Sequence, residues 1–459
     1  MNLEILRFAS GAGLLVLLGR AASRGRVRGL DPGELALDGA IGLSLAAPAA
    51  LAWLVLGMPL PPRVLAGAEA AAAIFLLFAR RTGRFRADPS SAPEDSRLAV
   101  RVSALLAFGA FAVCVWKWAR VPLWSWDHFA IWGVKARRLF PLSSLDTTTL
   151  HSFGLRVSNP NYPLGLPLVW RLLALGEPGS GAFRASHGLF ALGALFALRA
   201  GTRRATGSAL LANALAGALC VSPLFWDSEA LGLAEMPLAF LAVASAALLL
   251  GLRHPPGRPE WAAGVTIGYL AWIKQEGMVL ACLLLLAGVG ILLASRAPGR
   301  LRAKSVAALV LPAIAVAGVG AALWRLLLPP GLGFFVGDWP ARGLARLRSP
   351  MALWKALAHE LLAGDWLGLW IAVAAAFAAA MILRRPMAAL LLSVVAVQIA
   401  GYAAVYVFTY LDPVEHIASS FFRIVAGTVP LALLGAGLLA GRAAPECGDS
   451  GPGDSARTP

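Results

Sequence analysis

Apolar positions come in runs of roughly 17 to 25 residues broken by short arginine-bearing loops, the length at which a helix crosses bilayer hydrocarbon. The ten-residue alternation of barrel strands is missing. Backbone groups in lipid must bond within their own segment, so the pattern predicts an all-α, polytopic membrane helical bundle. Runs fall at residues 4–19, before Met58, and at 64–80, 98–116, 183–198, 208–224, 238–252, 261–273, 278–294 and 306–328, with three more before Arg442. That makes about thirteen spans. Residues 162–175 are interrupted by Pro163, Pro167 and Arg171 and read as a weak span or a re-entrant segment. Between Pro329 and Ala363, Trp339, Leu344, Leu347, Met351, Trp354 and Leu357 alternate with arginines like a helix lying on the membrane surface.

Arginines orient the spans. Arg20 to Arg28, Arg80 to Arg86, Arg199 to Arg204, Arg253 with Arg258, Arg296 to Lys304, and Arg384 with Arg385 mark every second loop as cytoplasmic. The N-terminus is then outside and the C-terminus inside. The first run lacks a basic leader and a small-residue cleavage site, so it reads as a span rather than a signal peptide. Residues 1–97 form an N-terminal addition, and 98–442 a core with a large extracytoplasmic loop at 117–182. Residues 443–459, rich in Gly, Pro, Ser and Asp, read as a disordered cytoplasmic tail.

Composition agrees: 59% of the 459 residues are hydrophobic and 14% charged, against about 25% charged in soluble domains. The net charge of +16 would suggest nucleic acid in a soluble chain, but topology explains arginines in short loops first, and no nucleic-acid partner is expected. Cys114, Cys220 and Cys282 lie in apolar runs and Cys447 in the tail, without a CxxC pair, so neither a disulfide framework nor a zinc site is indicated.

Polar residues concentrate on the arginine-poor face. Asp127 sits among Trp124, Trp126, Phe129 and Trp132, rings that favour the boundary of lipid and water, with Lys135 and Arg138 further along the segment. Lys274 and Glu276 close a short span, Glu235 opens one, and His416 and Arg423 stand seven residues apart on one helical face. Each has a plain alternative as an interfacial anchor or a residue favoured by a helix N-terminus. Together they offer a carboxylate, cations for a phosphate and rings for a sugar, a set suited to glycosyl transfer from a lipid-linked phosphate sugar. A phosphate leaving group needs little protonation, so one general base, Asp127, suffices.

The stretches WSWDHFAIWGVKARRLF, NPNYPLGLPL, AWIKQEG and HIASSFFRIVAGTVP resemble the integral-membrane glycosyltransferases of the GT-C superfamily. The likeness is to bacterial relatives of the protein O-mannosyltransferase and lipid A aminoarabinose transferase group. It implies a polyprenyl-phosphate sugar donor, a glycan, lipid or protein acceptor, and an acid in the first large extracytoplasmic loop as catalytic base, which is Asp127 here. Lys135, Arg138, Lys274 and Arg423 are the expected ligands of the donor phosphate. Trp126, His128, Trp132, Asn161, Tyr162, Glu235, Glu276 and His416 are expected to line the substrate pocket. No cofactor or metal ligand set is indicated. Two departures stand out: a single acid followed by His128 replaces the paired acids of mannosyltransferases, and the N-terminal addition puts three more spans before it than the one of the family core. The rival readings are a transporter or flippase of lipid-linked sugars, for which repeated halves and broken helices are not evident, and an O-antigen ligase or polymerase.

Overall fold

The computed structural model describes residues 3–22, 31–55, 95–123, 127–138, 162–174, 180–227, 232–253, 260–295, 298–327 and 337–440. The run expected at 64–80, Trp124, Trp126, Asn161 and the tail after Arg442 lie outside them.

Every regular element among the described residues is helical. The chain opens with α1 (Leu3–Ala22) and α2 (Pro32–Val55). They pack so closely that a Cβ on Gly19 would lie 1.7 Å from the Asp38 carbonyl oxygen, and one on Gly42 1.7 Å from that of Leu15. After α3 (Arg97–Arg120) comes a π-helix, Asp127–Gly133, continued by the single turn α4 (Val134–Arg138). Next are α5 (Gly165–Ala174), α6 (Ser180–Thr206) and α7 (Ala209–Cys220). Then follow α8 (Glu235–Leu250), α9 (Glu260–Ile273), α10 (Gln275–Leu293) and α11 (Gly299–Leu327). The last third holds α12 (Trp339–Arg348), α13 (Met351–Leu362), α14 (Leu369–Ile382), α15 (Pro386–Phe408), α16 (Pro413–Ala426) and α17 (Val429–Ala440).

Six of the described helices are long and apolar enough to cross a bilayer, rising to eight when each of two bent pairs counts as one span. The chain is thus compatible with an integral membrane protein. Several expected runs are shorter than a span. The run at 208–224 stops at Cys220, because Ser222 turns extended ahead of Pro223 and a separate turn, Pro223–Trp226, follows. The run at 238–252 is a 16-residue helix buried all round, a core element rather than a lipid-facing one. Of residues 162–175, Gly165–Ala174 form the ten-residue α5, too short for a span and buried at every position. Of the surface element expected at 329–363, the part described from Gly337 holds two helices joined at Ser349 and Pro350.

The segment TYLDPVEHIASSFFR, between the last two expected spans, is helical from Pro413 onward. Asp412 caps it by accepting from the backbone N–H groups of Val414 and Glu415. This helix bends by 51° into α17 across Gly427 and Thr428, and α13 with its following turn bends by 106° into α14, where Leu367 and Gly368 take positive φ. Broken helices, not evident from sequence, are therefore present. The Arg346 guanidinium of α12 donates to the carbonyl oxygens of Tyr406, Val407, Thr409 and Leu411, capping the end of α15 and tying the surface helix to the turn before α16.

Helix direction separates two ends. At one, Phe183 of α6 packs edge-on to His128 of the π-helix. At the other, Arg203 and Arg204 of α6 pair with Asp31 and Glu34 at the start of α2. α8 begins, and α9 ends, at the same end as the π-helix, where Lys274 breaks α9 from α10 with an extended backbone.

Candidate active site

Five charged residues from five segments meet at that end. The π-helix supplies Asp127, α8 its first residue Glu235, the α9–α10 break Lys274, α10 Glu276 and α16 Arg423. Arg423 Nη2 lies 2.9 Å from Asp127 Oδ2, and Arg423 Nε 3.4 Å from Glu235 Oε1. Lys274 Nζ lies 3.0 Å from the same Glu235 oxygen and 3.2 Å from Glu276 Oε1. Glu235, with 3% of its side chain exposed, is thus gripped by two cations, and a charge that deep persists only when paired.

A cavity of about 140 Å³ opens beside this network, enough for a phosphate-sized group. Asp127, Lys274, Glu276 and Arg423 face it, with Trp132, Tyr162, Tyr402, Tyr406, His416 and Ser420 forming much of its wall. Trp132 meets Tyr162 edge-on with ring centres 5.3 Å apart, and Tyr406 meets His416 at 4.7 Å. The Tyr406 hydroxyl shares a 2.8 Å hydrogen bond with Ser420. Acid, cations and flat rings therefore converge, and His416 and Arg423 of α16 both face the cavity.

Local sequence explains why Asp127 points here. His128, 1% exposed, is boxed by Phe129, Trp170 and Phe183, and its Nδ1 sits 3.3 Å from the Gly232 carbonyl oxygen. Gly232 has φ +77°, and a Cβ there would lie 2.5 Å from that nitrogen, so only glycine admits the ring. His128 therefore does not line the pocket as expected; it clamps the π-helix onto the turn that starts α8, two segments whose acids must meet. Gly133 serves the same wide turn, since a Cβ on it would lie 2.7 Å from the His128 carbonyl oxygen.

Two expected phosphate ligands are not in the cavity. Arg138 is exposed on the last turn of α4, and Lys135 is fully buried behind the wall, donating to the Tyr162 carbonyl oxygen at 3.3 Å. Glu235 stands behind the lining rather than in it, acting through Lys274 and Arg423. Burial shifts the loop groups. It raises the Asp127 carboxyl above the ordinary carboxylate value, with Glu235 adding to this and Arg423 and Lys274 opposing it. It lowers Lys135 to about 7 and His128 to about 4.

Tyr402, Tyr406 and Ser420 were not singled out from sequence. The first two lie four residues apart, and Gln398, four earlier, donates to the Glu276 carbonyl oxygen, so a polar stripe at helical spacing inside an apolar run was the available signal. Among the described residues no three His, Cys, Asp or Glu side chains group as a metal site.

Fold and site thus define an all-helical chain, compatible with an integral membrane protein, with an aromatic-walled cavity at one end bearing buried carboxylates and cations. Comparison with known protein families finds no matching family, and comparison with curated proteins and with solved structures finds no match either.

Proposed function

We propose that this chain is a GT-C-like glycosyltransferase of about thirteen spans in the bacterial inner membrane, working at its extracytoplasmic face. It moves a sugar from a polyprenyl-phosphate donor to an acceptor hydroxyl. The observation that carries this reading is Asp127 facing a cavity walled by aromatic rings, beside Arg423 and Lys274. Asp127 takes the acceptor's proton as its oxygen bonds to the anomeric carbon. The bond from that carbon to the phosphate oxygen breaks, its electron pair leaving on the polyprenyl phosphate, and attack from the opposite face inverts the configuration. Arg423 and Lys274 stabilise the charge growing on the leaving phosphate. A carboxyl raised by burial suits the base, because its conjugate acid is then less costly to form.

Purified protein given a polyprenyl-phosphate sugar and candidate acceptors should release polyprenyl phosphate, and Asp127→Asn should lower that rate by about 10² or more at unchanged thermal midpoint. Undiminished turnover in the variant would remove the reading. A second reading, a carrier of lipid-linked sugars, draws on the 51° break that follows Arg423, since transporters place ligand sites at discontinuous helices. Sugar crossing proteoliposomes without release of lipid phosphate would favour it.

A further inference from the structure

Three carboxylates and only two cations make up the charged network beside the cavity: Asp127, Glu235 and Glu276 against Lys274 and Arg423. A phosphate entering this arrangement would meet a net excess of negative charge, and both cations already have carboxylate partners. One carboxylate has to give way, and the geometry distinguishes them. Glu235 cannot leave: its side chain is 3% exposed, and one oxygen serves both Lys274 and Arg423. Among the described residues Glu276 pairs with one cation, Lys274, and its Oε2 has no hydrogen-bond partner. Asp127 is 24% exposed, lines the cavity, and is held to the network by the Arg423 contact at 2.9 Å from the first residue of the π-helix. Arg423 Nε, although 3.4 Å from Glu235, donates no hydrogen bond among the described residues, so the guanidinium has a donor to spare.

We propose that Asp127 and a phosphate monoester compete for the Arg423 guanidinium, so that Asp127 is a placeholder in the anion site and arrival of the phosphate sets its carboxylate free. Glu235 holds Arg423 and Lys274 in position throughout the exchange. The arrangement keeps the base idle in its ion pair and exposes it only when the donor is seated, which limits wasteful reaction. The groups facing Asp127 are Arg423 on α16, Glu235 on α8, Lys274 at the α9–α10 break and Glu276 on α10, with His416, Tyr162, Tyr402 and Tyr406 completing the wall. What Asp127 does once released rests on the glycosyl-transfer reading, whereas the competition rests on the ion pairs alone.

The test measures equilibrium binding of farnesyl phosphate, with farnesol as the neutral control, to the full chain in detergent at pH 7.5. Asp127→Asn should bind farnesyl phosphate about tenfold more tightly than wild type, the scale of one half-buried ion pair, while farnesol affinity stays the same. Asp127→Ser should show the same gain, which keeps the test standing if the asparagine variant folds poorly. The gain should vanish in Asp127→Asn/Arg423→Gln. Equal or weaker binding of farnesyl phosphate by both Asp127 variants overturns the proposal, and so does a gain that survives loss of Arg423. Tighter binding by the variants without sugar transfer by wild type would retain the competition and discard the glycosyl-transfer reading; transfer by wild type without tighter binding would do the reverse.

Discussion

Single residues at the π-helix end carry opposite burdens. Lys135 and Asp127 share one short segment, yet the first is sealed behind Tyr162 and the second faces the cavity beside a guanidinium. Burial weighs on both: at Asp127 the Arg423 guanidinium 2.9 Å away partly offsets it, and at Lys135 it lowers the ammonium to about 7. Folding therefore favours neutral Lys135 and neutral His128, and the sign of the pH effect follows. Wherever the unfolded chain binds a proton that the folded chain does not, stability rises with pH. For His128 the window runs from about 4 up to the ordinary 6.5, and for Lys135 from about 7 up to 10.5. The thermal midpoint should climb with pH in both windows. His128→Phe should flatten the acidic one and Lys135→Met the alkaline one in a pH series of unfolding scans; slopes matching wild type would show that these side chains are not the titrating groups.

This pairing of neighbours was only half legible in the sequence. The cations were visible beside the aromatic segment, but which of them reaches the cavity depends on a π-turn and on the seat of His128 against Gly232, and neither has a periodic signature.

Among elements, the wall that holds Lys274 depends on helix packing through glycine. In α9 a Cβ on Gly264 would come 2.2 Å from the Leu309 carbonyl oxygen of α11, and one on Gly268 2.5 Å from that of Ala313. Two small residues four apart let the helices touch backbone to backbone, the association expected where lipid supplies no hydrophobic drive. Nearby, the Trp272 indole donates to the Val316 carbonyl oxygen at 2.7 Å, two residues before Lys274. Gly264→Leu or Gly268→Leu should therefore force α9 from α11, costing about 1 to 3 kcal/mol and displacing Lys274. Gly290→Leu and Gly318→Leu, where a Cβ would meet nothing within 4 Å, should be near neutral. Thermal midpoints of the four variants in one detergent decide it; equal losses at all four would mean that the close approach is not what stabilises the pair.

At the scale of the whole molecule, α6 spans the distance between the charged cavity and the Arg203 and Arg204 end, which pairs with Asp31 and Glu34. Basic ends stay in the cytoplasm, so the cavity should open outside. With Cys282 and Cys447 replaced by alanine, Val414→Cys, near the cap of α16, should react with an impermeant thiol reagent in intact cells. Arg300→Cys, exposed at the start of α11, should react only after the membrane is opened. The reverse pattern would invert the orientation and place the site on the cytoplasmic face.

Helical class and membrane-length runs are written in composition, because insertion into hydrocarbon depends on local hydropathy. Span lengths were less legible. α8 and α3 both carry long apolar runs, although one is enclosed by protein and the other exposes Leu98, Leu105 and Leu106. Only the tertiary structure could decide that Glu235 would bind two cations, that Tyr402 and Tyr406 would wall the cavity, and that Arg138 would stay outside it. Those outcomes depend on which helix faces meet, and charge pairing across segments more than a hundred residues apart leaves no spacing to read.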